Sequence, residues 1–377
     1  MMSSIFEKIF YSPPEVCCFA PGRVNLIGEH TDYNGGYVLP CAVNMGICCI
    51  ARSRNDRRLQ FYSTNHSMEP VKKYDLDYLE LQSCWADYPV SVIMAFEIFG
   101  YKPERGCDFL FSSNLPEGAG LSSSAALEVV TATVLKEIFF QHISKKELAI
   151  ISQFAENRFI GVNCGIMDQF AITMGKEKNA IFLKSDTLCY EYVPLDDSSM
   201  AIVIVNSGVK HSLVSSAYNQ RRFECELAAK ELNVSDICSL NTEDFEKKKH
   251  FITDKQSCMR AHHAVYENHR VIEAVDALRR HDYRHFGLLM NESHISLRDQ
   301  YEVSCDELNL LAETAWSIKG VYGARMTGGG FGGCTVNLME SGVVKNFIKL
   351  IKLIYKEKFK IEPSIYNVSI ANGVRTI

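Results

Sequence analysis

Apolar positions in the first half of the chain alternate between strand-like and helix-like spacing. Residues 38–51 form an apolar run rich in β-branched side chains and residues 107–112 form a shorter one, which predicts two strands. Residues 121–140 carry apolar side chains at helical spacing, and Ser122 is placed to cap that helix. The first half is therefore expected to mix strands with helices.

Later segments continue this mixture. Ser144 followed by Glu147 is a capping box, which predicts a second helix that ends near Gly161. Residues 201–206 form a short buried-strand run after the turn-like residues 196–199. Helical spacing recurs in four further stretches, at residues 217–232, 256–280, 303–319 and 339–359. Because no long regular βαβ series is present, the pattern predicts an α+β fold.

Length and charge narrow the possible classes of protein. A chain of 377 residues is too long for one ordinary core, and we place a domain boundary after residue 198, giving domains 1–198 and 199–377. The composition, with 47% hydrophobic and 23% charged residues, is typical of a soluble globular protein. The net charge of −5 argues against a nucleic-acid or membrane-surface partner, and no apolar run or N-terminal signal pattern suggests a membrane span or export. A cytoplasmic protein is expected.

The chain contains 14 cysteines, which is a high number for this expectation. They are scattered, no C-x-x-C pair occurs, and most stand beside aliphatic or aromatic residues. A thiol in such surroundings behaves as a small hydrophobic group. We therefore predict buried free thiols rather than a disulfide framework or a metal site.

Residues 20–36 crowd many hydrogen-bonding side chains into one turn-rich stretch beside the strand predicted to follow it. Recognition of a polyol needs this mixture, because carboxylates accept hydrogen bonds from hydroxyl groups while Arg, His and Asn donate them. A polar surface loop would have a similar composition. The residues alone leave both interpretations open.

Residues 114–125 lead from a strand through glycines to a helix that begins at a run of serines. Glycine permits close backbone approach, and the free N–H groups and positive dipole of a helix N-terminus bind anions. The segment lacks the G-K-[ST] ending of a Walker A loop. An ordinary helix cap after a glycine turn is the alternative.

Residues 325–334 contain five glycines within six positions, from Gly328 to Gly333. Such a segment is a poor strand and an unsuitable helix, and it is expected where the backbone passes very close to a phosphate or to another chain segment. A flexible linker is less consistent with the apolar strand residues that follow directly.

Together the three segments resemble the signature motifs of the GHMP kinases, and the first resembles the sugar motif of the galactokinase group in that family. The run G-R-V-N-L-I-G-E-H-T-D-Y-N, residues 22–34, is too long for chance agreement, and the resemblance covers nearly the whole chain. It implies ATP-dependent phosphorylation of galactose at the C1 hydroxyl, giving galactose 1-phosphate and ADP. This reaction is the first committed step of galactose catabolism, the Leloir pathway.

The resemblance also implies the catalytic pair. Asp168, in the segment C-G-I-M-D-Q, corresponds to the general base of the family, and Arg23 corresponds to its partner. A neighbouring guanidinium lowers the pKa of an aspartate, which would keep Asp168 ionised and able to accept the proton of the sugar hydroxyl. Because phosphoryl transfer is loose, Asp168 can act as a base or can mainly orient the hydroxyl, and both roles remain open.

Binding residues follow from the same resemblance. Sugar contacts are implied at Glu29, His30, Thr31, Asp32, Gly165 and Tyr218. Nucleotide contacts are implied at Ser63 and along the glycine–serine segment, at Gly118, Ala119, Gly120, Leu121, Ser122, Ser123 and Ser124. The cofactor Mg²⁺ would be held by the hydroxyl of Ser124 and the carboxylate of Glu156, since Mg²⁺ prefers hard oxygen ligands. Without the resemblance, Glu156 would be interpreted as a surface helix residue.

The expected architecture is the two-domain GHMP kinase fold, with the active site in the cleft between the domains and the last ten or so residues returning to the first domain. The expected partners are galactose and ATP, and the expected state is a monomer or weak homo-oligomer. One alternative is a kinase acting on N-acetylgalactosamine or arabinose, although Asn34 favours plain galactose. Another is a catalytically silent galactose sensor, although the serine motif at residues 122–126 is complete.

Overall fold

The structure is a computed structural model that describes residues 2–116, 120–195, 198–210 and 214–377. Its helices are α1 (Met2–Phe10), α2 (Asp87–Ile98), α3 (Ser123–Phe139), α4 (Lys145–Ala155), α5 (Met167–Met174), α6 (Val214–Leu232), α7 (Thr242–Lys248), α8 (Lys255–Arg279), α9 (Tyr283–Asp299), α10 (Asp306–Trp316) and α11 (Val344–Phe359). Its strands are β1 (Val16–Asn25), β2 (Tyr37–Val38), β3 (Pro40–Ser53), β4 (Arg58–Ser63), β5 (Lys72–Asp75), β6 (Cys107–Ser113), β7 (Asn179–Lys184), β8 (Cys189–Pro194), β9 (Met200–Lys210), β10 (Val321–Thr327), β11 (Gly332–Glu340), β12 (Ser364–Val368) and β13 (Arg375–Thr376).

The first half of the chain is built on a six-stranded sheet with the order β13-β1-β3-β6-β4-β5. Strand β1 pairs with β3 antiparallel, and β4 pairs with β6 parallel. Helix α3 packs on β1 and β3 through Val129, Val130 and Val134, which are fully buried. A small sheet, β2-β7-β8, lies beside this layer. The position of β1 in the sheet matters because its last residues enter the site described below.

The second half is built on a four-stranded sheet with the order β10-β11-β9-β12. Helices α10 and α11 cover it, and Phe347, Ile351 and Tyr355 form the buried face of α11. Helix α9 packs on β10 so closely that Gly287 and Gly323 meet backbone to backbone, where a side chain at either position would clash. Close contact of this kind is the usual reason for glycine within regular elements.

Most predicted elements are confirmed, including the α+β class, the strands at 38–51, 107–112 and 201–206, and the helices within 121–140, 217–232, 256–280 and 303–319. The capping box is confirmed on one side, since the Ser144 hydroxyl accepts the Glu147 N–H at 3.2 Å. Helix α4 continues as a π-helical turn, Glu156–Ile160, that ends as predicted at Gly161 with φ 83°.

Two predictions are wrong in detail. Residues 339–340 close strand β11, and the last long helix begins only at Val344. Ser122 does not cap α3 with its side chain, because its backbone is left-handed at φ 57° and its hydroxyl donates to the carboxylate of Asp168. The side chain of that serine therefore contacts Asp168 rather than the helix end.

The C-terminal residues return to the first sheet, where β13 pairs with β1 and Thr376 lies opposite Cys18. The division of the chain at residue 198 remains a prediction. All 14 cysteines are free. Seven are buried, as predicted for thiols that act as core side chains, whereas six are half-buried and Cys189 is exposed. In the described part of the chain, no helix has the length and apolarity that a membrane crossing requires.

Candidate active site

The end of β1 places a buried arginine against an aspartate of α5. Arg23 donates from Nε to Asp168 Oδ1 at 2.7 Å and from its second terminal nitrogen to Oδ2 at 2.8 Å. The remaining terminal nitrogen donates to the Gly120 carbonyl at 2.6 Å. Burial alone would lower the pKa of Arg23, but the charges of Asp168 and Glu29 outweigh burial and raise it. The guanidinium is thus a fixed positive charge that joins the aspartate to the glycine–serine segment.

The approach of β1 to the start of α3 depends on a glycine. A Cβ at Gly22 would lie 2.7 Å from Leu115 Cδ2 and 2.8 Å from the Leu121 carbonyl oxygen. The pairing of β1 with β3 also shifts register between Pro21 and Arg23, which is a local bulge. The sequence Pro-Gly-Arg therefore turns the arginine toward Asp168 while the loop before α3 packs against the strand.

A cavity of about 140 Å³ opens beside this ion pair, and both halves of the chain line it. Its charged and polar lining residues are Arg23, Glu29, His30, Asp32, Glu156, Asp168 and Tyr218, together with the backbone of Gly165, Gly328 and Gly329. In the turn-rich segment of residues 20–36, every residue from 20 to 31 is buried. The interpretation of this segment as a polar surface loop is therefore wrong. A small space lined by directional donors and acceptors can bind a molecule rich in hydroxyl groups.

Asp32 lies against a glycine that has no room for a side chain. A Cβ at Gly165 would overlap the Asp32 carboxylate, whose Oδ1 also accepts the Tyr33 N–H at 3.0 Å. Burial, and then the negative charges of Asp168 and Glu29, raise the pKa of Asp32 to about 7. The cavity thus brings several negatively charged acceptor oxygens close together. Hydroxyl donors or a cation bound there would offset their repulsion.

His30 is held in a strained backbone conformation, with φ 63°, beside three aromatic rings. Its Nδ1 is 2.7 Å from the Tyr33 hydroxyl, which is in turn 2.8 Å from the Tyr301 hydroxyl. Burial, reinforced by the nearby His263, lowers the pKa of His30 to about 3, so the imidazole is neutral. Its buried Nε2 has no hydrogen-bond partner among the described residues. An unpaired buried nitrogen at a cavity wall is a position where a ligand group can bind.

Glu29 and Thr31 occupy different parts of the same turn. Glu29 lines the cavity, and its Oε1 accepts the Gly328 N–H at 2.6 Å. Thr31 is fully buried and does not line the cavity; its hydroxyl lies 2.8 Å from the Gly28 carbonyl and 2.7 Å from the Tyr37 carbonyl. The structure therefore gives Thr31 a part in shaping the turn, and a direct contact of Thr31 with the sugar remains only a prediction.

Helix α3 begins beside the cavity, at the end of the glycine–serine segment. Gly118 and Ala119 lie outside the described residues. The Leu121 side chain is buried in the core, and its carbonyl accepts the Arg23 N–H at 3.2 Å. Ser123 is exposed and Ser124 is half-buried. The N–H groups of the first helical turn have no partner within a helix, so an anion can bind at this point.

A second cavity, of about 320 Å³, adjoins the start of α3 on its other side. Its lining includes Ser63, Asn65, Trp85, Ser123 and Ser124. The hydroxyl of Ser63 accepts the Asn65 N–H at 3.3 Å. The indole Nε1 of Trp85 is buried with no hydrogen-bond partner among the described residues. This space combines an aromatic wall with unused polar groups, next to the helix N-terminus.

Ser124 connects the two cavities. It lines the second one, and its hydroxyl donates at 3.1 Å to Glu156 Oε1, which belongs to the first. Glu156 is almost fully buried, and its Oε2 accepts Gln169 Nε2 at 2.6 Å. Burial, and then repulsion from Asp168, raise the pKa of Glu156 above its ordinary value. In the described part of the chain, no cluster of three or more His, Cys, Asp or Glu side chains could hold a metal ion alone.

Sequence reasoning missed several residues of this site. They are Tyr33, Trp85, Gln169, Tyr301 and Arg325, none of which was given a role. Two carried a signal, since Tyr33 lies inside the sugar motif and Gln169 directly follows Asp168. Arg325 opens the third glycine-rich segment, where the glycines predict close backbone approach but indicate no role for the arginine. Close backbone approach is indeed present there, because Gly330 lies against Val303.

Comparisons with known proteins agree with this geometry. Residues 4–53 match the family model described as the galactokinase galactose-binding signature, residues 87–176 match the GHMP kinases N terminal domain, and residues 274–348 match the GHMP kinases C terminal domain. The galactokinase of Fusobacterium nucleatum is 49% identical over 98% of this chain and 97% of its own. The galactokinase of Clostridium beijerinckii is 47% identical over 100% of this chain and 98% of its own.

Solved structures lead to the same family. The crystal structure of Lactococcus lactis galactokinase complexed with galactose matches with a TM-score of 0.97 and 39% identity, covering 100% of this chain and 99% of that one. The Methanococcus jannaschii mevalonate kinase matches with a TM-score of 0.66 at 16% identity, which shows a shared fold. The chain belongs to the galactokinase family within the GHMP kinases, and it is an ATP-dependent sugar kinase.

Proposed function

We propose that this chain transfers the γ-phosphoryl group of ATP to the C1 hydroxyl of galactose, giving galactose 1-phosphate and ADP. The observation that carries the proposal is the Arg23–Asp168 ion pair, which lies between a small polar cavity and the N-terminus of α3. The relatives with this architecture are galactokinases, and one of them was solved with galactose bound. The reaction begins galactose catabolism.

The cavity supplies what a sugar acceptor needs. Asp32, Glu29 and Asp168 accept hydrogen bonds from hydroxyl groups, while His30 Nε2 and the Tyr218 hydroxyl can donate. We place the C1 hydroxyl at Asp168, because this carboxylate lines the cavity and contacts Ser122, directly before α3. The remaining hydroxyl groups would then face Asp32, Glu29 and His30.

Asp168 is positioned to receive the proton that the C1 hydroxyl loses. Both of its oxygens are held by Arg23, so the carboxylate cannot rotate away from the acceptor. The hydroxyl oxygen attacks the γ-phosphorus, the bond to the β-phosphate oxygen breaks, and the proton passes to Asp168. Arg23 offsets the negative charge that accumulates during transfer.

The nucleotide would bind in the second cavity with its phosphates at the start of α3. Trp85 can stack on the base, and Ser63 and Asn65 offer hydrogen-bonding groups at the same wall. The phosphates would then meet the first-turn N–H groups of α3, from Ser123 onward. This path ends at Ser124, where the two cavities meet.

Ser124 and Glu156 fit the place of Mg²⁺ in this arrangement. The hydroxyl and the Glu156 carboxylate oxygen are 3.1 Å apart, and both are hard oxygen donors of the kind that Mg²⁺ prefers, so the two side chains would hold the ion together. Phosphate oxygens and water would complete the ligand set. When bound, the ion would neutralise phosphate charge. It would also compensate the buried carboxylate of Glu156.

We further propose that the enzyme acts in the cytoplasm, where ATP is available, as a monomer or weak homo-oligomer.

The activity is tested by incubating the protein with ATP and Mg²⁺, with and without galactose, while ADP release is followed and the product is identified. Galactose-dependent ADP release with a phosphate on C1 is expected. Galactose binding without ADP release would instead identify a sensor. Faster turnover with N-acetylgalactosamine or arabinose would identify a different sugar kinase.

A further inference from the structure

The turn that carries Glu29 is held from the second half of the chain. The Gly28 N–H donates to Glu267 Oε1 at 2.9 Å, and His263 Nε2 donates to the Glu29 carbonyl at 3.1 Å. All of these groups are buried, so each contact replaces water. The turn that carries Glu29 is therefore positioned by α8 as well as by β1.

The carboxylate of Glu29 has few free acceptor positions. Its Oε1 accepts the Gly328 N–H at 2.6 Å and Arg325 at 3.4 Å, and its Oε2 accepts the side-chain amide of Asn25. A carboxylate offers about four lone-pair positions. Three are occupied, which leaves one, on Oε2, for a group in the cavity.

Arg325 is the charged member of this arrangement, and it does not line the cavity. It is fully buried, donates from Nε to the Ser293 hydroxyl at 3.1 Å and from one terminal nitrogen to the Asn25 carbonyl at 3.1 Å. The Ser293 hydroxyl in turn donates to Glu267 at 2.6 Å. The contacts with the Ser293 hydroxyl and the Asn25 carbonyl therefore hold the planar guanidinium in the orientation from which it contacts Glu29.

We propose that Arg325 is a positioning residue for sugar recognition, which acts by holding Glu29 so that its one free acceptor position faces a single hydroxyl group of the sugar. The inference rests on the proposed function, because it takes Glu29 as a sugar contact. Arg325 itself touches no substrate. Loss of the Arg325 guanidinium leaves the nucleotide cavity and the Arg23–Asp168 ion pair unchanged. The Glu29 carboxylate is then no longer held in a single orientation.

The test is isothermal titration of galactose and of ATP against Arg325→Lys. Lysine keeps the positive charge but lacks the planar fork, so it cannot hold Ser293, Asn25 and Glu29 together. Galactose affinity is expected to fall by about 10-fold or more. ATP affinity should stay within about twofold of the wild type. A galactose affinity equal to that of the wild type would overturn the proposal.

Arg260→Lys is the matched control for general damage to the fold. Arg260 is as buried as Arg325 and also binds carboxylates, at 2.9 Å to Glu224 and 2.5 Å to Glu302, but it lies outside the cavity lining. We expect it to lower the melting temperature while galactose affinity stays within about twofold of the wild type. An equal loss of affinity in both variants would mean that Arg325 acts only through stability, which overturns the proposal.

A double-mutant cycle with Glu29→Gln separates this inference from the proposed function. If Arg325 acts through Glu29, Arg325→Lys should change galactose affinity by less than about twofold in the Glu29→Gln background. An additional full loss there would overturn the inference. If Glu29→Gln alone binds galactose normally, the proposed sugar contact fails together with the inference that rests on it.

Ser293→Ala provides a milder variant if Arg325→Lys does not fold. It removes the hydroxyl that holds Arg325 Nε, while Glu267 keeps its bond to the Gly28 N–H. Galactose affinity is expected to fall about threefold, again with ATP affinity unchanged. Unchanged galactose affinity in this variant would overturn the proposal.

Discussion

The two cavities of this kinase are built in different ways. The cavity that we propose for the sugar is small, about 140 Å³, and is lined by charged and aromatic side chains from both halves of the chain. The cavity that we propose for the nucleotide is larger, about 320 Å³, and adjoins the N–H groups at the start of α3. The smaller cavity depends on side chains that other side chains hold in place, whereas the larger one depends more on backbone N–H groups. Substitutions are therefore expected to damage sugar recognition more than nucleotide binding.

The largest expected effect is discrimination against glucose, which differs from galactose only at the C4 hydroxyl. The wrong epimer leaves a buried polar group unpaired, and sites built to bind a hydroxyl reject mismatched analogues by factors of roughly 10⁴. We expect kcat/KM for galactose to exceed that for glucose by about this factor. Asp32→Ala should narrow the ratio by reducing galactose activity more. Comparable wild-type rates on both sugars would show that the sugar does not bind in this cavity.

A smaller effect is expected from Gly165→Ala. The new methyl group would overlap the Asp32 carboxylate and displace it, so galactose should bind about 100-fold more weakly while ATP affinity is unchanged. Gly342→Ala is the matched control, because, among the described residues, no atom beyond its two chain neighbours lies within 4 Å of a Cβ there. Normal galactose affinity in Gly165→Ala would contradict the placement of Asp32 in the sugar site.

The junction between the cavities is tested by Glu156→Gln. If Glu156 binds Mg²⁺, the magnesium concentration for half-maximal rate should rise by between about 10- and 100-fold, as is usual when a metal site is weakened. Ser124→Ala should have a smaller effect, since water can replace a neutral hydroxyl. An unchanged magnesium dependence in Glu156→Gln removes Glu156 from the site.

The pH dependence of galactose affinity should be the mildest effect. The pKa of Asp32 is raised to about 7, so the carboxylate loses its charge, and part of its acceptor capacity, as the pH falls through 7. Galactose affinity should fall roughly 10-fold from pH 8 to pH 6, in step with the ionised fraction. The same shift acts oppositely on stability. Because the pKa of Asp32 is raised from 3.8 to about 7, its contribution to the stability of the sugar-free protein is fully present below about 4 and is lost as the pH rises to about 7.

Asp32→Asn is the control for this pH effect. This variant should bind galactose weakly at both pH values. Its melting temperature should exceed that of the wild type, and the difference should be larger at pH 8 than at pH 6. A wild-type affinity that does not vary with pH would show that ionisation of Asp32 is not required for binding.

Sequence reasoning was most successful where the signal is local. Strand β3 and helix α3 follow from spacing, and the sugar motif places Glu29, His30 and Asp32 within four positions. It failed for contacts between distant segments, such as Glu29 with Arg325, which are 296 positions apart. It also gave Ser122 a capping role, because periodicity does not show that the backbone turns left-handed and directs the hydroxyl to Asp168.

The central claim is that Asp168 accepts the proton of the acceptor hydroxyl, and the variant Asp168→Asn tests this claim most directly. Asparagine keeps the size of the side chain, and its amide oxygen can still accept a hydrogen bond from Arg23, but it cannot take a proton. Galactose and ATP should bind within about threefold of the wild-type affinities, while kcat falls by roughly 10³-fold. A kcat within about tenfold of the wild type, with both substrates bound, would contradict the account.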